Sequence, residues 1–104
     1  MWALKRRGLL ALDDADFATA VMALERALRA TPADQSLRKA LGYAYIWNGR
    51  APDGVALLAT LDRSAEVRAE LDVWPYAWNE RGRDDLAERA RQAASLLQAL
   101  RPPP

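Results

Sequence analysis

Apolar residues recur at helical spacing along nearly the whole chain, and the breaks between the runs fall at residues that end or begin helices. From Phe17 to about Ala30, the positions Phe17, Ala20, Val21, Leu24, Ala27 and Leu28 share one side of a helix, with Arg26 and Arg29 in its last turns, where positive charge suits the helix dipole. Thr31-Pro32 ends it, because the residue before a proline disfavours the helical region. An earlier helix runs from about Trp2 to Leu12 and stops at Asp13-Asp14, whose side chains bond locally, and Asp16 caps the next. A third, capped by Asp34 or Ser36, is broken by Asn48-Gly49-Arg50, and Pro52 opens a fourth that lasts to about Leu61. After the loop Asp62-Arg63-Ser64, a fifth helix is expected to kink or restart at Pro75, and a sixth runs from Asp84 to about Leu100.

The width of the apolar stripe separates these helices. In the third, Leu37, Ala40, Leu41, Ala44 and Tyr45 lie on one side and Tyr43, Ile46 and Trp47 on another, more than one face can hold. The fourth is apolar almost throughout, as an element sandwiched on both sides would be. The sixth carries one stripe, Leu86, Ala87, Ala90, Ala93, Ala94, Leu97 and Leu100, opposite Glu88, Arg91, Gln92, Ser95 and Gln98, which suits the polar-faced end unit that repeat arrays require.

The segments repeat. Gly8 and Gly42 stand 34 residues apart and their surroundings align without a gap. A third copy follows by matching Gly49-Arg50 to Gly82-Arg83, a step of 33, in which Leu71, Trp74 and Trp78 hold packing positions and Pro75 replaces the glycine. A rival register matches Tyr45-Ile46-Trp47-Asn48 to Tyr76-Ala77-Trp78-Asn79 and needs an extra residue in the next turn. Against the pattern large apolar, Leu-Gly, Tyr, Ala, Phe, Ala, Pro, the first copy offers Leu4, Gly8, Ala20, Leu24, Ala27 and Pro32, and the second Leu41, Gly42, Tyr45, Gly54 and Leu58. The chain therefore resembles the tetratricopeptide repeat (TPR) family. The resemblance implies an all-α fold of six helices, paired as three antiparallel hairpins at about 1–34, 35–67 and 68–100 and stacked into a right-handed superhelix. Residues 101–104, Arg-Pro-Pro-Pro, form a stiff tail or the start of a linker.

Composition narrows the function. Fifteen basic and fourteen acidic residues, without a block of one sign, favour neither nucleic acid nor an anionic membrane surface. The absence of cysteine and histidine removes disulfides, thiol nucleophiles, imidazole ligands and the commonest general base, so neither a metal nor another cofactor is expected. No apolar run is long enough to insert in a bilayer, and the charges of MWALKRRGLLALDD lie inside its apolar run rather than ahead of it, unlike a signal peptide. Cytoplasm and periplasm both accommodate a cysteine-free chain.

The TPR resemblance also implies where a partner would bind. In that family the first helix of each repeat lines a concave groove, and the groove positions fall here on Trp2, Lys5, Leu9, Leu12 and Asp13, then Ser36, Lys39, Tyr43, Ile46 and Trp47, then Asp72, Tyr76, Asn79 and Glu80. Trp2, Lys5, Leu9, Leu12, Lys39, Tyr43, Ile46, Trp47 and Tyr76 are the expected contact residues, with Tyr43, Ile46 and Trp47 forming an aromatic and aliphatic strip in which Trp47 is partly exposed. The competing reading packs Trp47 on the neighbouring repeat. Lys5 and Lys39 occupy equivalent places, as in a carboxylate clamp, but the asparagines such a clamp uses are Leu9, Leu12 and Tyr43 here, so solvated lysines are the plainer reading. Trp74 and Trp78 are expected to fill the third hairpin's core, and Asp13-Asp14 and Asp84-Asp85 to serve as helix caps. The resulting expectation is a noncatalytic module that binds a protein or peptide segment, or else a scaffold segment of a larger bacterial export or polysaccharide-secretion machine. Trp2, Leu4, Leu9, Leu10 and Leu12 surround much of the first helix, which predicts that it is covered by a preceding element, a partner or a second copy in a homodimer.

Overall fold

The computed structural model describes residues 2–100, without the side chain of Trp2; the expected contact at Trp2 and the tail 101–104 lie outside the described residues. Six helices follow in order: α1 (Trp2–Asp13), α2 (Phe17–Ala30), α3 (Gln35–Trp47), α4 (Ala51–Leu58), α5 (Ser64–Glu80) and α6 (Asp84–Ala99). They pair as α1/α2, α3/α4 and α5/α6 in a flat body with extents of 37 × 36 × 18 Å.

The caps follow the side chains available. The Asp16 carboxylate accepts from the Thr19 amide at 3.4 Å to start α2, and Asp34 accepts from the Leu37 amide at 3.1 Å to start α3. Asp84 and Asp85 sit in the first turn of α6, where the helix dipole favours negative charge. Helix α4 ends at Leu58, three residues before the expected end. Its last carbonyls, Leu57 and Leu58, are taken by Thr60 and Leu61 amides in tighter i→i+3 turns, and the Thr60 hydroxyl donates to Leu57 at 2.6 Å. Helix α5 passes through Pro75 without restarting. Leu71, Pro75 and Trp78 form a buried stripe, so packing holds both sides of the missing hydrogen bond.

Each hairpin closes with the same turn. The amides of Ala15, Gly49 and Gly82 donate three residues back, to Leu12, Ile46 and Asn79, and the next amides, Asp16, Arg50 and Arg83, donate five back, to Ala11, Tyr45 and Trp78, each at 2.8 Å. The three residues have φ of 60°, 85° and 73°. Their spacing is 34 and then 33, so the backbone keeps the register that matches Gly49 to Gly82, and the rival register fails. Within the first two hairpins the close contact also repeats. A Cβ built on Gly8 would lie 2.5 Å from Leu24, and one on Gly42 would lie 2.6 Å from Leu58. Glycine is required there because the helices approach to where any side chain would collide.

The hairpins do not stack alike. At the first junction α3 lies on α2: Leu37, Ala40, Leu41 and Ala44 share a cluster with Ala20, Val21, Leu24 and Ala27, and the Tyr45 hydroxyl donates to Glu25 at 2.6 Å. At the second junction α6, rather than α5, packs its backbone against α4 and α3. The alanines Ala87, Ala90 and Ala93 on its inward stripe permit that approach, and the Arg89 guanidinium donates to the Trp47 carbonyl at the end of α3, where a cation suits the helix dipole. The expected stripe of α6 is buried apart from Leu100, which is exposed, and Ala94, which is half-buried; its opposite face is polar and open.

Candidate functional site

Helix α3 is buried almost all round, which answers its excess of apolar positions: α2 and α4 cover one side, and the aromatic rings of α5 the other. Tyr43 and Trp47 stack at 5.8 Å between centroids, Trp74 and Trp78 stack at 5.6 Å, and the pairs meet edge-on, with Trp47 5.4 Å from Trp74 and 5.3 Å from Trp78. Phe17, at the start of α2, closes the cluster edge-on to Trp78 at 6.5 Å. These indoles bridge α3 and α5, which otherwise make no comparable backbone contact.

Two clefts open on either side of Tyr43 and Trp74, which line both. One, of about 760 Å³, lies between α3 (Ser36, Lys39, Ala40, Tyr43) and α5 (Ala69, Glu70, Val73, Trp74, Ala77). The other, of about 510 Å³, reaches from Leu12, Asp13 and Phe17 past Tyr43 and Trp47 to Trp78, Arg81 and Arg83. Together they form a trough whose middle is aromatic and whose ends are charged.

The charges are organised. Lys39 donates to Glu70 at 2.6 Å and the Tyr43 hydroxyl to the other oxygen of Glu70 at 2.7 Å. Burial alone would raise the Glu70 carboxyl, but the Lys39 and Tyr43 hydrogen bonds prevail and hold it below its ordinary value, so it stays a carboxylate. Burial, followed by the Glu70 carboxylate, pushes the Tyr43 hydroxyl well up. Neither group is poised to exchange a proton near neutrality. On α1, Lys5 donates to Asp34 at 2.7 Å and to Ser36 at 3.0 Å, and the Asp34 carboxyl falls to about 2, through the Lys5 bond first and those of Ser36 and the Leu37 amide next.

Several expected contact residues are elsewhere. Ile46 is fully buried inside the second hairpin, where a Cβ on Gly54 of α4 would touch it, and Trp47 is 2 % exposed beneath Trp74 and Trp78. The strip Tyr43-Ile46-Trp47 is therefore core along most of its length, and the packed reading of Trp47 holds. Tyr76, 72 % exposed, points away from the trough, and Asp72, Tyr76 and Asn79 open instead onto a cleft with Arg91, Ser95 and Gln98 of α6. The cause is the docking of the third hairpin through α6, which turns α5 so that Val73 and Ala77, not Asp72 and Tyr76, face α3. Lys5 and Lys39 are each engaged in an ion pair, with side chains that stay about a third exposed to water. Leu12 lines the trough and Leu9 is exposed on α1. Trp78, expected in the third hairpin's core, is buried there with Leu71, Leu86, Ala87 and Ala90 and also meets Trp47 of α3, while Trp74, expected there too, packs on that cluster at the junction with α3 and remains half-exposed. Val73, Trp74 and Glu70 were not among the expected contacts; their signal was the 33-residue step, which places them at the stacking positions of α3.

A sequence model described as tetratricopeptide repeat matches residues 11–72, from the last turn of α1 into the middle of α5. The chain belongs to the TPR family. No curated protein and no solved structure gives a significant match. TPR repeats generally mediate protein–protein interaction and are generally noncatalytic, and the match stops within α5, before the aromatic half of the helix that departs from the first two hairpins.

Proposed function

We propose that this TPR chain is a noncatalytic binding module and that the trough over Tyr43 and Trp74 receives a segment of a partner protein. The observation that carries this is the continuity of the apolar floor: one pair of aromatic side chains lines both clefts, so a single segment can run from Leu12 at one end to Lys39 at the other. Half-exposed Trp74 offers a large rigid contact surface of the kind that dominates binding energy at interfaces. Glu70, the carboxylate at its α3/α5 end, is paired and held ionised, which supports recognition over acid–base catalysis there.

The test is selection of random peptides on the immobilised chain, followed by nuclear magnetic resonance of the enriched peptides with the labelled protein. Shifts centred on Tyr43 and the Trp74 indole are expected. Shifts centred on Pro52 and Gln92, on the opposite α4/α6 face, would overturn the reading. Exposed Leu9 and Leu10 on α1 support a second reading, self-association through that helix. Sedimentation velocity across a concentration series, repeated with Leu10→Ser, tests it, and a monomer at every concentration removes it.

A further inference from the structure

The 510 Å³ cleft holds three polar groups that the fold does not use. Asp13 lines one wall, at the end of α1, and Arg81 lines another, just past the end of α5. Among the described residues neither forms an ion pair, with the other or with any third group. Asp13 is also placed against the field of its own helix. It is the last residue of α1, whose last turn carries no basic residue, so the carboxylate adds to the negative end of the helix dipole instead of answering it. Arg81 is held in place by the Trp78 ring, 5.1 Å from its centroid, and this stacking leaves the N–H groups of the guanidinium without a carboxylate. Arg83, the other arginine of the cleft, differs, because two hydrogen bonds of 3.2 Å to Asp85 answer its charge. The third group is the indole of Trp78, which is 6 % exposed and whose buried N–H has no acceptor.

We propose that this cleft binds a free α-amino acid with an aromatic or large aliphatic side chain. Its carboxylate meets Arg81, its ammonium meets Asp13, and its side chain lies on the aromatic wall of Phe17, Tyr43, Trp74 and Trp78. The charges of the cleft select this class. One unanswered anion and one unanswered cation line the same aromatic space, and a free amino acid carries the opposite of both on a single carbon, whereas either terminus of a peptide carries one of them. A guanidinium takes a carboxylate through two parallel hydrogen bonds, and an ammonium at Asp13 offsets both the carboxylate and the dipole of α1. The aromatic wall supplies the apolar contact that two exposed charges alone do not. This site goes beyond the partner's seat in the trough and stands on the α1 end of it alone.

The probe is L-phenylalanine, titrated into the isotope-labelled full chain and followed by nuclear magnetic resonance. Saturable shifts of the Trp74 and Trp78 indole N–H signals are expected. Affinity should fall about fivefold or more for N-acetyl-L-phenylalanine, which lacks the ammonium, and for L-phenylalaninamide, which lacks the carboxylate. In Asp13→Asn the N-acetyl derivative should bind as well as the amino acid, and in Arg81→Gln the amide should, while Asp72→Asn, on the far side of α5, keeps the wild-type order. Asp13 and Arg81 are exposed, so both variants keep the fold, and an unaltered urea midpoint checks this. No saturable shift with L-phenylalanine, equal binding of either derivative by the wild-type chain, or an order that Asp13→Asn and Arg81→Gln leave unchanged overturns the proposal. Equally tight binding of the tripeptide Phe-Gly-Gly also overturns it, by giving the cleft to a chain terminus. Selected peptides that shift Tyr43 and Trp74 while L-phenylalanine does not bind would remove the amino-acid site and leave the partner's seat standing, and the converse would do the reverse.

Discussion

The junction between the first and second hairpins and the junction between the second and third use the same kind of ionic clasp and opposite packing. Lys5 of α1 reaches Asp34 at the start of α3, and Lys39, its equivalent 34 residues later, reaches Glu70 of α5. Below those clasps, α3 lies flush on α2 through Leu37 and Leu41, whereas α5 stands off and lets α6 take the apolar seat. Position by position, the difference starts with Leu37 against Glu70: a leucine is stabilised by burial at the seat, while a carboxylate there would have to leave water. A long side chain then fills the stand-off, Trp74 where α3 has Leu41, and the gap between α3 and α5 becomes the trough. A binding surface thus arises where the repeat fails to stack as its neighbour does.

The sharpest way to break this contrast is to exchange the two residues. Leu37→Glu puts an unpaired charge into the closed junction and is expected to cost about 4 kcal/mol or prevent folding. Glu70→Leu at the open junction loses only its bonds with Lys39 and Tyr43 and should cost about 1 kcal/mol or less. Urea unfolding of both variants measures the asymmetry, and comparable losses would mean that the second junction is as closed as the first. Next in size is Gly42→Leu. Its first added carbon meets Leu58 at 2.6 Å and the Gly54 carbonyl at 3.2 Å, and backbone cannot move aside, so a loss of about 3 kcal/mol is expected by the same measurement.

A smaller effect isolates the clasp of the first junction. Asp34→Asn keeps the helix cap but removes the charge that Lys5 meets, at a cost of about 1 kcal/mol at neutral pH. The folded pKa of about 2 lies below the unfolded value of about 4, so the contribution is fully present above pH 4 and is lost as pH falls from there toward 2. Wild-type and Asp34→Asn unfolding midpoints should therefore converge over that interval and stay parallel above it. A gap that persisted at pH 2 would assign the effect to something other than ionisation.

Much of the fold was legible because it is local. Caps, the Thr31-Pro32 stop, the two close-contact glycines and the 34- and 33-residue steps are all written in neighbouring residues, and the helices follow within a few positions. The trough was not, because stacking is a choice between helices with similar apolar stripes. Both α5 and α6 offer one, and only their relative closeness of approach, set by Ala87, Ala90 and Ala93 against Trp74, decides for α6. Family groove positions carried over to α5 therefore pointed at Tyr76, one face away from the cleft. Glu70, a charge at the position where α3 has Leu37, was the sequence's mark of the open junction.

The smallest expected effect concerns what all three hairpins share, the left-handed residue in each turn. Two are glycines and the first is Ala15, at φ of 60°. An alanine there sets its Cβ against the following carbonyl, which costs about 1–2 kcal/mol, and part of that is recovered because alanine restricts the unfolded chain more than glycine does. Ala15→Gly should then stabilise the protein by about 0.5–1 kcal/mol, and Gly82→Ala should destabilise it by a similar amount. Gly82 is the better mirror than Gly49, since an added Cβ at 82 meets nothing within 4 Å, while one at 49 approaches the Arg89 guanidinium at 3.9 Å. Any loss at 82 therefore reports backbone strain alone. Urea midpoints of the two single variants and of the double variant measure this, and the turns are far enough apart for the effects to add. A stabilising Gly82→Ala or a destabilising Ala15→Gly would show that the turns differ in conformation, and with them the register that makes the two junctions comparable residue by residue.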